Sequence, residues 1–279
     1  MPGALSNART LLPTIADMSA TEDIQARVER ERAAHTEDDV LGDNIRLKER
    51  WFPHIFNYPG LRRLLSSFEA YGRDVKGLRV LDFGCGRGER SLLMLAHGAR
   101  VDGIDISPVY ISEAEEQALA AGHDPARFSF VAGDAHATPY DDGTFDLVIG
   151  EGILHHLDLD LAMSEIHRVL KPGGRAVFRE PLLDNPLLKG FRLLTPRVRT
   201  EDERPFSADD LKKFERSELW SVESEYCGVL GAPMAVLTSL LLRPFPNNVL
   251  GRAADRAERA LGTRFESMNQ YVLLNLVRR

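Results

Sequence analysis

The chain has 279 residues, enough to bury a full hydrophobic core, and its composition is that of an ordinary globular protein. Its 35 basic and 42 acidic residues give a net charge of −7, which argues against a general nucleic-acid-binding protein. Cys85 and Cys227 lack the paired spacing of a disulfide framework or a metal site, and residues 1–20 lack the features of a secretory signal. We therefore expect a cytoplasmic protein without a metal site.

The first predicted elements form an N-terminal helical cap at residues 21–75, preceded by a flexible tail at residues 1–20. Residues 21–49 are rich in Glu, Arg and Asp, which favours exposed helices. A later helix carries its apolar side chains on one face, namely Leu61, Leu64, Leu65, Phe68 and Tyr71. An aromatic cluster lies between these segments, and we interpret its Trp51, Phe52 and Phe56 as core residues. His54 and Tyr58 of the same cluster are candidate substrate-binding residues.

Residues 76–180 alternate short apolar strands with helices. The predicted strands are Arg79–Phe83, Arg100–Ile106, Phe128–Ala132, Phe145–Ile149 and Arg175–Arg179. Ser107 and Pro108 are typical of a helix start, and a later helical stripe is expected to stop at Lys171–Gly174. This alternation predicts an α/β fold with a doubly wound, mainly parallel sheet.

The alternation breaks after Glu180. Residues 181–218 are expected to form an inserted helical cap, with Ser207 as the N-cap of one helix. Residues 219–279 are expected to complete the sheet with strands at Trp220–Tyr226 and Gln270–Val277. The apolar run between them is interrupted and too short to span a bilayer, so we expect no stable membrane insertion. Oligomer packing explains the same apolar residues, which leaves a homodimer open.

A glycine-rich turn follows the first strand. Asp82 ends that strand, and glycines then alternate with other residues at positions 84, 86 and 88. Glycines let the backbone bend sharply and approach a ligand closely. The third glycine comes one residue earlier than in a dinucleotide-binding turn, and Asp82 would repel a pyrophosphate. An acid at this position suits a ligand with a positive ammonium, such as a methionine moiety.

Two further acids follow the next two strands. Asp105 ends the second strand, about 20 residues beyond the glycine turn, where a carboxylate can accept both hydroxyls of a ribose. Asp134 follows the third strand, where a carboxylate can accept the exocyclic amine of adenine. Each acid alone can be a solvated loop residue. Three acids at successive strand ends of one sheet predict an adenosyl ligand with a cationic group.

These segments together resemble a known family. Val80–Gly88, Gly103–Ser107, Gly133–Ala135, Phe145–Val148 and Arg168–Gly174 are similar to class I S-adenosylmethionine-dependent methyltransferases of the small-molecule type, as in quinone biosynthesis. The resemblance covers about a third of the chain. It implies a Rossmann-like sheet of seven strands whose last strand is antiparallel, and S-adenosylmethionine as methyl donor.

The resemblance also assigns parts of the donor to particular residues. It places Asp82 at the methionine end, Asp105 at the ribose and Asp134 at the adenine, with a backbone contact from Ala135 to the ring. Glu151 lies in the loop that runs along the donor. The predicted donor site comprises Asp82, Gly84, Cys85, Gly86, Gly88, Asp105, Ile106, Asp134, Ala135 and Glu151.

The acceptor side carries a weaker pattern. His155 and His156 follow the fourth strand and are candidate bases, although a packing or helix-start role is favoured for them. Glu180 ends the fifth strand and is a candidate catalytic or substrate-binding acid. The alternative for Glu180 is a carboxylate satisfied by backbone amides. The acidic ligand set of a metal-dependent methyltransferase is not visible.

The predicted reaction is methyl transfer to a small, hydrophobic metabolite of quinone, terpenoid or other secondary-metabolite type. The choice between oxygen, nitrogen and carbon stays open. An NAD(P)-dependent oxidoreductase is one alternative, but it calls for the wider glycine spacing. A non-catalytic S-adenosylmethionine-binding protein is another. A nucleic-acid methyltransferase is disfavoured because no Asn/Asp-Pro-Pro-Tyr segment follows the fourth strand.

Overall fold

A computed structural model describes residues 25–30, 32–33, 54–55, 57–194, 204–241, 249–261 and 265–279. The flexible tail predicted for residues 1–20 lies outside the described residues, as do the core positions predicted for Trp51, Phe52 and Phe56. Residues 25–30 and 32–33 are helical, which agrees with the helices expected in that charged segment.

In the described part of the chain, seven strands form one sheet. They are β1 (Arg79–Phe83), β2 (Arg100–Asp105), β3 (Phe128–Ala132), β4 (Phe145–Glu151), β5 (Leu170–Pro181), β6 (Trp220–Cys227) and β7 (Tyr271–Arg278). Their order is β3-β2-β1-β4-β5-β7-β6. Neighbours among β1 to β5 pair in parallel, whereas β7 pairs antiparallel with both β5 and β6. The predicted Rossmann-like sheet with an antiparallel last strand is confirmed.

Helices cover both faces of this sheet. They are α1 (Pro59–Arg73), α2 (Glu89–Ala96), α3 (Pro108–Ala120), α4 (Leu159–Val169), α5 (Pro186–Leu194), α6 (Ala208–Arg216), α7 (Gly231–Leu241) and α8 (Val249–Leu261). Buried side chains of α4 and α6 join the core on one face. Buried side chains of α1, α2, α5 and α7 join the core on the other. None of these helices is both long and apolar enough to cross a membrane.

The predicted helix boundaries rest on local hydrogen bonds. Ser107 Oγ accepts the backbone N–H of Tyr110 at 3.3 Å and caps α3, whose first residue is Pro108. Ser207 and Asp210 form a reciprocal capping box at the start of α6. Both predicted N-caps are confirmed.

The predicted end of the helix is confirmed, since α4 ends at Val169, directly before Lys171–Gly174. The predicted start of the fifth strand at Arg175 is wrong, because β5 begins at Leu170 opposite Phe145. The pairing register shifts before Arg175 meets Leu147, and Gly173 has a φ of +73°. Glycine adopts this backbone conformation readily, so the segment is accommodated as an irregularity of the strand. The division into domains at residues 75, 180 and 218 stays a prediction.

Candidate functional site

The carboxyl ends of β1 to β5 share one edge of the sheet, where an open cleft is found. The predicted site residues that line it are Gly84, Asp105, Ile106, Asp134, Ala135, Glu151 and His156. These residues follow four different strands. The parallel pairing of the strands is what brings them together.

The glycine turn depends on backbone conformations that favour glycine. Gly84, Gly86 and Gly88 have φ values of +75°, +52° and +85°. A Cβ atom at Gly84 would lie 2.7 Å from the side chain of Ile153, which lines the cleft. A Cβ atom at Gly88 would lie 2.9 Å from that of Ala114 on α3. The glycines therefore allow β1, α3 and the loop after β4 to approach one another closely.

Asp105 is bound to the glycine turn. Its Oδ2 accepts the backbone N–H of Gly86 at 2.8 Å, and its Oδ1 accepts that of Ser107 at 3.0 Å. A carboxylate offers about four acceptor positions, so these two bonds leave it able to accept hydroxyl donors from a ligand. Asp105 thus fixes the turn and presents acceptor capacity to the cleft.

Asp134 is held by a histidine that the sequence interpretation missed. Asp134 Oδ1 accepts both the backbone N–H of His136 at 2.9 Å and its ring Nδ1–H at 2.7 Å. His136 Nε2 in turn accepts the backbone N–H of Asp158 at 2.9 Å, which assigns the ring proton to Nδ1. The hydrogen bond from His136 lowers the pKa of Asp134, so the group facing the cleft is a carboxylate. The Asp-x-His spacing was the only signal in the sequence for this contact.

Asp82 lies in the core and not among the residues that line the cleft. Its side chain is 0% exposed. Oδ2 accepts the hydroxyl of Ser91 at 2.7 Å, while Oδ1 is buried without a hydrogen-bond partner among the described residues. Burial, together with the nearby Asp105 charge, raises the pKa of Asp82 to about 7. Cys85 is also buried beside these acids, and burial raises the pKa of its thiol.

Glu180 binds the turn after β4. Its side chain is 0% exposed. Oε1 accepts the backbone N–H groups of Ile153 and Leu154 at 3.0 and 2.9 Å, and Oε2 lies 2.7 Å from His155 Nδ1. Neither Glu180 nor His155 lines the cleft, whereas His156 does. This geometry gives Glu180 a positioning role and supports the backbone-amide alternative over a substrate contact.

Glu151 is paired with two arginines. Glu151 is the last residue of β4 and lies opposite Arg179 of β5 in the strand register. Arg179 donates to Oε1 of Glu151, and Arg90 of α2 forms an ion pair with Oε2. The sequence interpretation singled out Glu151 but neither arginine, because their meeting depends on which face each side chain occupies.

His54 and Tyr58 lie away from the cleft, contrary to what their predicted substrate-binding role requires. His54 Nδ1 lies 2.8 Å from Thr238 Oγ1 of α7, and burial lowers the pKa of this histidine. The Tyr58 hydroxyl lies 3.4 Å from Cys227 Sγ at the end of β6. Both side chains are buried where the start of α1 packs against the C-terminal elements.

Several lining residues were absent from the sequence-based set, among them Arg27, Val28, Ile104, Tyr110, Ile153 and Leu157. Arg27 belongs to the helical segment at residues 25–30, and its guanidinium donates to the carbonyl of His155 at 3.5 Å. The apolar members contribute surfaces suited to a planar ring. Their types are common, so no spacing marked them.

Comparison with known proteins gives matches for the central part of this chain. Residues 81–178 match the model of a family described as a methyltransferase domain. The chain is 39% identical over 105 residues to demethylmenaquinone methyltransferase of Thermus thermophilus, covering 37% of this chain and 46% of that protein. It is 39% identical over 125 residues to 27-O-demethylrifamycin SV methyltransferase of Amycolatopsis mediterranei, covering 44% and 45%. The chain thus matches less than half the length of these relatives.

A solved structure extends the likeness to almost the whole chain. The [4+2]-cyclase SpnF superposes with a TM-score of 0.54 at 18% identity, covering 95% of this chain and 96% of the cyclase. At this identity the likeness concerns the fold alone. The resemblance to class I methyltransferases inferred from the sequence motifs is confirmed for the central segment.

Proposed function

We propose that this chain, whose residues 81–178 match the model of a methyltransferase domain, transfers a methyl group from S-adenosylmethionine to a small, hydrophobic acceptor. One observation carries the proposal. The carboxylates of Asp105 and Asp134 follow neighbouring strands and line one cleft together with Gly84 of the glycine turn. This is the arrangement that an adenosyl ligand requires, since its ribose hydroxyls and adenine amine are all hydrogen-bond donors.

The residues present fit the donor at three positions. Asp105 retains acceptor capacity for the ribose hydroxyls. Both hydrogen bonds that Asp134 accepts from His136 use Oδ1, so Oδ2 is the oxygen that would accept the adenine amine. Ile104, Ile106 and Leu157 line the cleft nearby and suit the faces of the purine. The contact of Asp82 with the methionine end stays a prediction, because this carboxyl is buried and does not line the cleft.

The chain's contribution to the reaction is mainly positioning. When bound, the donor supplies a methyl carbon already activated by a sulfonium. The glycine turn, Asp105 and Asp134 would hold the methyl donor in place. The loop that Glu180 holds contributes Ile153 and His156 to the lining of the cleft. Alignment of two reactants supplies a large share of the rate in such a reaction. A strong base is not required for every acceptor.

Several features support a small, hydrophobic acceptor in place of a nucleic acid. The net charge is −7 and the relatives above are named for quinone and rifamycin substrates. Leu187 and Leu193 of α5 are 66% and 79% exposed, in the segment expected to cover the acceptor. The proposed location of the enzyme is the cytoplasm. Light scattering would test whether the chain forms a homodimer.

Thermal unfolding tests the donor first. S-adenosylmethionine and S-adenosylhomocysteine are expected to raise the melting temperature, and NAD is not. Stabilisation by NAD alone would reject the proposal in favour of an oxidoreductase.

Incubation with methyl-labelled donor and cell extract, followed by mass spectrometry, then tests transfer. Metabolites that gain one methyl group identify the acceptor. Donor binding without label transfer to any extract component would indicate a non-catalytic binding protein.

A further inference from the structure

Glu151 at the end of β4, Arg179 near the end of β5 and Arg90 of α2 form a cluster of three charged side chains, here called the guanidinium cluster. Each carboxylate oxygen of Glu151 binds a different arginine. The Arg90 guanidinium lies 4.6 Å from the ring centroid of Phe68, and that of Arg179 lies 4.6 Å from that of Tyr271. Stacking on aromatic rings holds the two planar groups in place.

Two cations share one anion in this cluster. The side chains are only partly exposed, at 20% for Arg90, 16% for Arg179 and 26% for Glu151. Among the described residues, Arg179 donates only to Glu151, Arg90 forms its ion pair with Glu151, and the buried Nε of Arg179 has no acceptor. The charges around the cluster include Glu89, which is exposed, the exposed ion pair of Glu69 with Arg73, and Glu258, which acts on Cys227 together with Arg179. The Glu258 carboxylate is occupied by backbone N–H groups of residues 228, 230 and 231. The three side chains of the cluster by themselves carry one more positive than negative charge.

The cluster lies beyond the part of the cleft that fits the donor. Along the sheet edge the strands follow the order β3, β2, β1, β4, β5. Asp134 follows β3, Asp105 ends β2 and the glycine turn follows β1, which assigns adenine, ribose and methionine to successive strands. Of the cluster, Glu151 lines this cleft, and it also lines a neighbouring cavity together with Arg90. Arg179 stands one strand further on. An acceptor that meets the methyl group opposite the adenosyl group would approach from this side.

From this placement we propose that Arg90 and Arg179 bind an anionic oxygen of the methyl acceptor, which is a hydrophobic carboxylate, phenolate or enolate. Arginine recognises such oxygens through paired N–H donors. The surplus positive charge of the cluster favours the ionised acceptor over its neutral form. The inference rests on the proposed function and adds the chemical class of the acceptor.

The proposed role accounts for the reaction without a protein base. A lone pair on the ionised acceptor, on oxygen or on the carbon conjugated with it, forms a bond to the methyl carbon. The carbon–sulfur bond breaks, and its electron pair stays on sulfur as a neutral thioether. The acceptor's proton has already left to solvent on ionisation, so charge and atoms balance.

Binding of a matched pair of probes tests the proposal. With saturating S-adenosylhomocysteine, 2-naphthoate and its neutral counterpart 2-naphthamide are titrated by calorimetry. The wild-type chain is expected to bind the carboxylate about tenfold more tightly than the amide. Failure of S-adenosylhomocysteine to bind would reject the proposed function itself. Equal binding of the two probes, or no binding of naphthoate, would reject this inference alone.

Variants of the guanidinium cluster are expected to change the affinity for naphthoate in opposite directions. Arg179→Gln leaves Arg90 and Glu151 as a neutral pair and is expected to abolish the preference for naphthoate. Glu151→Gln removes the competing carboxylate and is expected to strengthen naphthoate binding. Arg175→Gln is the control, since Arg175 occupies the same face of β5 four residues earlier and stacks 5.6 Å from Tyr71.

The affinity for S-adenosylhomocysteine shows whether a variant affects binding of the acceptor or binding of the donor. It is expected to stay unchanged in Arg179→Gln. A variant that loses S-adenosylhomocysteine affinity and keeps the preference for naphthoate would overturn the inference, because the anion bound at the cluster would then be the donor's own carboxylate. A purely structural role predicts that the Arg179 and Glu151 variants shift naphthoate affinity in the same direction.

Discussion

Glu180 Oε2 and His155 Nδ1 lie 2.7 Å apart, and the other oxygen of the same carboxylate accepts the N–H groups of Ile153 and Leu154. One fully buried acid thereby fixes three consecutive residues of the turn after β4. Ile153 and His156 of this turn line the cleft, although Glu180 does not. The acid at the end of β5 acts on the site through backbone geometry.

Replacement of Glu180 is therefore expected to act first on stability. Glu180→Leu leaves two buried N–H groups and the His155 ring without their acceptor, which is expected to lower the free energy of unfolding by about 3 kcal/mol or more. Glu180→Gln keeps one acceptor oxygen and is expected to cost about half as much. Urea unfolding followed by circular dichroism measures both. Unchanged stability with lost turnover would instead support the substrate contact predicted from the sequence.

Asp82 is expected to make stability depend on pH. Burial raises its pKa to about 7, so between pH 4 and pH 7 the folded chain holds a proton that the unfolded chain releases. This stabilising contribution is complete below about pH 4 and is lost as the pH rises through 7. In Asp82→Asn the dependence disappears, so the wild type loses up to about 1.4 kcal/mol per pH unit relative to the variant across this window. Parallel slopes in urea unfolding at pH 5, 6 and 7 would contradict the expectation.

The elements nearest the cleft were the most predictable from the sequence. The ends of β1 and β3, the cap at Ser107 and the glycine turn all depend on residues close together in the chain. Contacts between distant segments were not predictable in this way. His54 and Tyr58 were placed in the pocket because their partners, Thr238 and Cys227, lie 184 and 169 residues later.

The guanidinium cluster shows the same limit within the site. The position of Glu151 at the end of β4 follows from strand periodicity. Its pairing with Arg179 depends on the register of β4 with β5, and its pairing with Arg90 depends on the rotation of α2. Neither quantity is encoded in a local pattern, because sheet register and helix packing are set by the whole core.

A substitution at Gly84 tests whether the close approach of Ile153 to the glycine turn matters for donor binding, separately from backbone strain. Gly84→Ala places a Cβ atom 2.7 Å from Ile153 at a φ of +75°, whereas Gly122→Ala meets nothing within 4 Å at a φ of +77°. Both variants incur strain of about 1–2 kcal/mol. Only Gly84→Ala is also expected to displace Ile153 and weaken binding of S-adenosylhomocysteine. Calorimetry on both variants measures this, and equal affinities would show that the approach of Ile153 does not shape the donor site.

Asp105→Ala tests the ribose assignment against a matched loop acid. Asp105 Oδ1 and Asp124 Oδ1 each accept the backbone N–H two residues ahead, at 3.0 and 2.9 Å, so alanine at either position removes the same local bond. Asp124 lies outside the cleft, and Asp124→Ala is expected to leave the affinity for S-adenosylhomocysteine unchanged. Asp105→Ala also removes the acceptor of Gly86 N–H and of the ribose hydroxyls, so the affinity is expected to fall by about 100-fold, or about 2.7 kcal/mol. Because both variants lose the local turn bond, the difference between their affinities measures what the carboxylate at the end of β2 does for the ligand, directly and through its bond to Gly86. A difference of zero would reject the ribose assignment.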